Sequence, residues 1–267
     1  MKKSFPFSVE FLYQVFSLII IVIIVHAVYV GLIRPRADAI LAQQAIQMAE
    51  DKSKVTERSV FVLIRDYEQE ACFILMFWAM AIMGYKAVKT FRQGALLQMD
   101  LIPLAEGVRI LPEDTRDVSR QIQALPGQQR EALLPKALLA GLQRFSTTRN
   151  IQDVASATHA YCDSEAERLE SELSLIRYIA WAIPSIGFIG TVRGIGDALG
   201  QAHKAIEGDI FDVTRSLGVA FNSTLIALLI SIGLMFVLHQ LQQQQERYVL
   251  DVETYCEENL ISHLYTK

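Results

Sequence analysis

The chain has 267 residues, 52% of them hydrophobic, with a net charge of −4 and a mean hydropathy of +0.27. That charge leaves no basic footprint for nucleic acid. Cys72, Cys162 and Cys256 lie too far apart in sequence to give a disulfide framework or metal-ligand spacing. The apolar residues are gathered in runs rather than spread periodically, so the expected class is an all-α integral membrane protein.

After a short N-terminal segment, 1–10, the first apolar block covers 11–33, "FLYQVFSLIIIVIIVHAVYVGLI". It supplies the roughly 20 residues that a bilayer core requires. It exceeds the ~7–15 apolar residues of a signal peptide, and no small-x-small cleavage site follows, so it reads as a retained helix. His26 inside it is expected to be a hydrogen-bonded packing residue. Residues 34–70 read as a loop, partly helical. The second span is 71–88, and Lys86 and Lys89 are expected to snorkel to the interface from its end. Cys72 within it reads as a small packing residue.

The polar stretch 89–176 follows; it holds four of the seven prolines (Pro103, Pro112, Pro126, Pro135), and its first half reads as turn-rich. From Ile151 the pattern turns helical. Val154, Thr158, Tyr161, Leu169, Leu173 and Ile176 recur at helical spacing, and this continues into the third span, 177–199. One helix over that whole stretch would be about 70 Å long against a bilayer core of about 30 Å, so it is expected to extend beyond the membrane. A connection at 200–216 leads to the fourth span, 217–240. Leu241, Tyr248, Val252 and Tyr255 carry its stripe onward through a C-terminal helix, 241–267. Four spans place both termini on one side. Lys2, Lys3, Lys86, Lys89 and Arg92 favour that side being cytoplasmic. Arg34, Arg36, Lys52, Lys54, Arg58 and Arg65 pull the other way, so charge alone leaves the orientation open.

The third span, "YIAWAIPSIGFIGTVRGIGDALG", is unusual for a lipid-facing helix. Pro184, Gly187, Thr191, Gly194 and Ala198 share one face at spacings of three and four, with Gly190 beside them. Ala220, Thr224, Ala227 and Ser231 repeat the pattern in the fourth span. Small residues let another helix approach where lipid provides no hydrophobic drive, so both stripes are expected to pack against a partner helix. Thr191 and Thr224 fall at matching depths, roughly 10–12 Å from the same boundary, which makes them candidates for an ion pathway. The alternative is that each hydroxyl merely bonds a carbonyl of its own helix. No Asp or Glu lies in the middle of any span, so a proton-conducting chain of this kind needs a carboxylate from a partner. Arg193 and Asp197, four residues apart near the span's end, are expected to pair.

"IPSIGFIGTVRGI" followed by "AFNSTLIALL" resembles the MotA/TolQ/ExbB proton-channel family. Pro184, Gly187, Gly190, Thr191, Val192, Gly194 and Ile195 match its P-x-x-G-x-x-GTVxGI-like helix. Ala220, Thr224 and Leu228 match the A-x-x-x-T helix that follows. The resemblance covers about residues 175 to 260, and the four-span layout looks more like MotA than the three-span branches. It implies a homopentamer around a dimer of a single-span MotB/TolR/ExbD-like protein with a membrane aspartate, in the bacterial inner membrane. Ion flow, H+ or in some members Na+, is turned into mechanical work on a cytoplasmic or envelope effector, without an organic cofactor. It also implies cytoplasmic termini, a cytoplasmic 89–176 domain, and periplasmic 34–70 and 200–216 segments. Thr191 and Thr224 then line the ion route, and Arg193 with Asp197 forms an outer-mouth charge pair. Departures are Arg193 for a common tryptophan, Ala227 for a frequent glycine, and the polar Asn222. A competing reading is a non-conducting scaffold that anchors a partner. An enzyme is disfavoured, because the histidines form no ligand motif and there is neither a phosphate loop nor a nucleophile elbow.

Overall fold

The computed structural model describes residues 9–50, 59–102, 109–206 and 210–266. Lys2, Lys3, Lys52, Lys54, Arg58 and Pro103, used above, lie outside them. The described residues form helices and turns, with one isolated β-bridge. In chain order the helices are α1 (Val9–Val28), α2 (Arg34–Glu50), α3 (Val60–Leu63), α4 (Tyr67–Gly94), α5 (Thr115–Gln123) and α6 (Gly127–Arg130). They continue with α7 (Leu133–Thr148), α8 (Ile151–Glu172), α9 (Ser174–Gly200), α10 (Ala202–Ile206) and α11 (Phe211–Asn259). Four helical stretches are long and apolar enough to cross a membrane: 9–47, 67–98, 151–200 and 212–263. The chain divides into two compact units. The first comprises residues 1–83 with 175–238, the second 84–174 with 239–267.

In the first unit α1 is apolar on all sides, as expected of a helix meeting lipid on most of its surface. It does not end in a loop. A π-helical turn, Tyr29–Ile33, carries it directly into α2, so residues expected as loop are helical to Glu50. Helix α4 begins at Tyr67, four residues before the predicted span, with Glu68 and Glu70 in its first turn, where acids complement the helix dipole. Two bonds fasten α4 to α1: the Trp78 indole N–H donates to the Gln14 carbonyl at 2.9 Å, and the Tyr13 hydroxyl to Ala81 at 3.2 Å. Cys72 is fully buried, with its thiol 3.7 Å from the Ile183 carbonyl, consistent with a packing role.

The single helix expected from Ile151 to Leu199 is interrupted at Leu173, a non-helical turn residue between α8 and α9. Helix α8 carries Asp153, Asp163, Glu165, Glu167, Arg168, Glu170 and Glu172, so the apolar window of this pair lies in α9. Helix α11 runs unbroken for 49 residues, starting at Phe211 rather than 217.

The second unit has a soluble-type core. Leu134, Leu138, Leu142 and Phe145 of α7 meet Val154, Cys162 and Leu169 of α8, with Tyr248, Val252, Cys256 and Leu260 from the chain's end. The anticipated stripes of α8 and α11 are thus core faces. At Gly141 a β-carbon would lie 2.9 Å from the Leu260 side chain and 3.1 Å from the Thr158 hydroxyl, so α7 sits close to its neighbours there. Arg149, in the left-handed region at φ 53°, ends α7 while its N–H bonds Phe145. Asn150 then caps α8 by accepting from Gln152 N–H at 2.9 Å. The tail closes on Ile110, whose N–H donates to the His263 carbonyl at 2.8 Å while Tyr265 N–H donates to Ile110 at 3.1 Å.

Lys86 corrects another expectation. It does not snorkel outward but is 2% exposed, with its ammonium 2.9 Å from Glu172. Burial pushes the Glu172 carboxyl up, but the Lys86 hydrogen bond and the positive charges of Lys86, Lys89 and Arg168 together outweigh it, leaving the group below the usual carboxylate range. All three cysteines are buried free thiols. Burial pushes the Cys162 thiol up to about 11 and the Cys256 thiol up to about 12.

Candidate functional site

Helices α9 and α11 approach each other through their small residues, and the closeness is measurable at three glycines. A β-carbon on Gly187 would lie 2.4 Å from the Ala227 β-carbon, and one on Gly190 would lie 2.5 Å from the Ser223 hydroxyl. On Gly194 it would lie 2.7 Å from both the Ala220 nitrogen and the Ser216 carbonyl oxygen. Ala198, Ala220 and Ala227 are buried as well, and the Ser231 hydroxyl donates to the Ala180 carbonyl at 3.0 Å. Pro184 lies inside α9, which continues as helix on both sides of it.

Within the chain the two stripes meet each other. Gly187, Gly190, Gly194, Ala220, Ala227 and Ser231 are occupied by the seam between α9 and α11 of the same chain. The reason is the one that predicted a partner: without hydrophobic drive, the two helices with the smallest faces gain most dispersion contact by joining each other.

Thr191 and Thr224 meet in that seam. Their hydroxyls are hydrogen-bonded to each other. Thr191 also donates to the Ala220 carbonyl at 3.0 Å, and Thr224 to the Gly187 carbonyl at 3.1 Å, each reaching across to the other helix. The bond from Thr191 to its own helix, to the Gly187 carbonyl, is longer at 3.4 Å. Simple back-bonding is therefore not the main role of either hydroxyl. Two hydroxyl protons serve two carbonyls and two hydroxyl oxygens, so each can rotate among acceptors and leave a lone pair free. Such a pair can accept a hydrogen bond from a passing hydronium or ligate a small cation.

The expected Arg193–Asp197 pair is secondary. Arg193 makes a two-pronged ion pair with Glu68 of α4, at 2.7 and 2.9 Å, while Asp197 stands at 3.8 Å. The fork geometry of guanidinium on carboxylate favours Glu68. Glu68 also packs beside Gly190, where a β-carbon would lie 3.2 Å from its side chain. On the opposite side of the same turn, Glu70 is buried against His26 and Arg34. The chain thus brings two carboxylates of its own to the edge of its spans, which the span limits 71–88 leave out. The readable signal is "DYEQE" directly before an apolar run, an acidic first turn that belongs to the helix.

Four helices able to cross a bilayer, two of them sealed by glycine contacts around a hydroxyl pair, define a multi-pass α-helical membrane protein. Residues 129–254 match the model of the MotA/TolQ/ExbB proton channel family. The match begins in α6, well before residue 175, so it takes in α7 and α8 of the second unit as well as the α9–α11 seam. No curated protein and no solved structure matches the chain.

Proposed function

We propose that this chain is the ion-conducting subunit of a two-component membrane motor driven by the proton-motive force. Five copies enclose a dimer of a single-span protein whose membrane aspartate carries the ion. The termini and the 89–176 domain are cytoplasmic, and the membrane is the bacterial inner membrane. Thr191 and Thr224 offer oxygen lone pairs to the ion beside that aspartate, and the small-residue seam holds them at a fixed separation. The observation that supports this reading is the cross-helix hydroxyl pair inside the family-matched stretch. The seam makes the pore wall; the partner's helix meets its outer side.

The test is proton flux in vesicles holding the chain with its aspartate-bearing partner. Thr191→Val with Thr224→Val keeps the volume and removes both hydroxyls. We expect flux to fall at least tenfold, equivalent to about 1.4 kcal/mol in the barrier, while the complex still assembles. Unchanged flux in the double variant refutes the threonine assignment. A wild-type complex that assembles without flux identifies a scaffold instead.

A further inference from the structure

We propose that His26 and Glu70 form a second proton-binding site in the membrane unit, separate from the threonine pair, in which the imidazole takes up the proton. Three observations meet there. First, the Glu70 carboxylate is buried, its side chain 8% exposed, and holds two partners: His26 Nδ1 at 2.7 Å on one oxygen and the Arg34 guanidinium on the other. Second, the backbone between those two residues, Tyr29–Ile33, is π-helical, a rare local distortion that recurs at functional sites. It sets His26 and Arg34 on one side of α1–α2, both within reach of a single carboxylate. Third, the Tyr29 hydroxyl, on the π-helical turn beside Arg34, is buried with no hydrogen-bond partner among the described residues. The residue is more than nine-tenths buried.

Charge counting assigns the roles. Arg34 and Glu70 neutralise one another, so an ion pair alone would be complete. His26 is the additional member, and imidazole is the group whose charge changes near neutral pH. With Nδ1–H donating to Glu70, the neutral ring is left with Nε2 as its acceptor. A hydronium gives its proton to Nε2 and leaves as water, and the resulting imidazolium is held by the carboxylate. An ionisable group within a membrane helix, paired with a named partner, is itself a pointer to function.

The surrounding charges are those of four elements. Arg34 and Asp38 come from α2, and Tyr29 from the π-helical turn. Arg65, paired with Asp38 at 3.3 Å, and Asp66 precede α4, and Tyr67, Glu68, Glu70 and Cys72 come from α4. Arg34 also lies over the Tyr67 ring at 4.2 Å, and Glu68 is turned to Arg193. None of these reaches His26 as closely as Glu70.

The full-length chain, labelled with 15N in its histidine rings and held in lipid nanodiscs, is titrated by NMR, with His26→Gln identifying the His26 signal. We expect the neutral ring to carry its proton on Nδ1. Glu70→Gln removes the acceptor of that Nδ1–H, so its proton signal moves and the ring loses its preference for this tautomer. Arg34→Gln leaves the tautomer in place, because the carboxylate remains. If Glu70→Gln does not fold, the wild-type tautomer decides the matter. His159, whose partners lie elsewhere, serves as an unchanged reference. A ring that takes up no proton across the titration, a neutral ring protonated on Nε2, or a tautomer unchanged in a folded Glu70→Gln overturns the proposal.

Discussion

The contacts at Gly187 and Gly194 differ in kind, and the difference predicts which substitution can be rescued. At Gly187 the nearest atom to an added β-carbon is the side-chain carbon of Ala227, at 2.4 Å. At Gly194 the two nearest atoms are backbone, the Ala220 nitrogen and the Ser216 oxygen, both at 2.7 Å. An ordinary contact needs about 3.4 Å, so Gly194→Ala must part α9 from α11 by roughly 0.7 Å. Overpacking of this sort costs about 1–3 kcal/mol. Lengthening the Thr191 bond to Ala220 adds about 0.5–1.5 kcal/mol, and the backbone gain of replacing a helical glycine returns about 0.5–1 kcal/mol. The net expectation is a loss of about 1–3 kcal/mol. Thermal unfolding of the purified chain, followed by fluorescence of Trp78 and Trp181, should show a midpoint lowered by about 2–10 °C. Gly187→Ala should cost about as much, and Ala227→Gly should restore most of it. Ala220→Gly should not restore Gly194→Ala, because the backbone atoms remain in place. Equal rescue at both positions, or a neutral Gly194→Ala, would show that the seam is looser than these distances state.

Three other outcomes are expected from the same kind of measurement. Arg193→Gln should lower the thermal midpoint by more than Asp197→Asn, which should change stability by under about 0.5 kcal/mol, since the Glu68 fork and not the Asp197 contact holds the guanidinium. Glu172→Gln should cost up to about 3 kcal/mol by removing the carboxylate next to the buried Lys86 ammonium, and Lys86→Met in the same chain should recover much of that loss. His159 is fastened to Glu253 at 2.7 Å, and that hydrogen bond, with Asp163 nearby, holds its imidazole above the usual range. A raised histidine adds stability below its ordinary value of about 6.5 and loses it as the pH climbs through the folded-state value. Wild type should therefore lose thermal stability on going from pH 6 to pH 8 relative to His159→Gln, and identical pH profiles would count against the contact.

Much of the helical plan is legible in the sequence because its cause is local. Four apolar runs, the small faces of α9 and α11 and the core stripes of α8 and the end of α11 follow from composition and a 3.6-residue period, which the chain cannot disguise. What the small faces touch is not legible. Glycine spacing announces a close approach without naming the approaching helix, and Gly187 meets Ala227 forty residues on as readily as it would meet another molecule. Charge pairing is obscured for a related reason. Sequence proximity offers Arg193 the carboxylate of Asp197, four residues away, yet the better fork partner, Glu68, is 125 residues distant in sequence. Glu70 is hidden because it stands one residue before a hydrophobicity boundary, and the ends of helical segments are their least certain limits. Lys86 reads as an interfacial lysine until Glu172, a long way along the chain, is seen beside it.

The burial of all three native thiols has a practical corollary. Cys72, Cys162 and Cys256 expose 1% of their surface or less, and a thiol reacts with maleimide as the thiolate, which burial suppresses. The natural chain is accordingly a silent background for labelling chemistry. A cysteine placed at one exposed position at a time, such as Ala42 in α2 or Gln243 in α11, would report through an impermeant reagent on intact cells which face of the membrane it occupies, with no need to strip the native cysteines first.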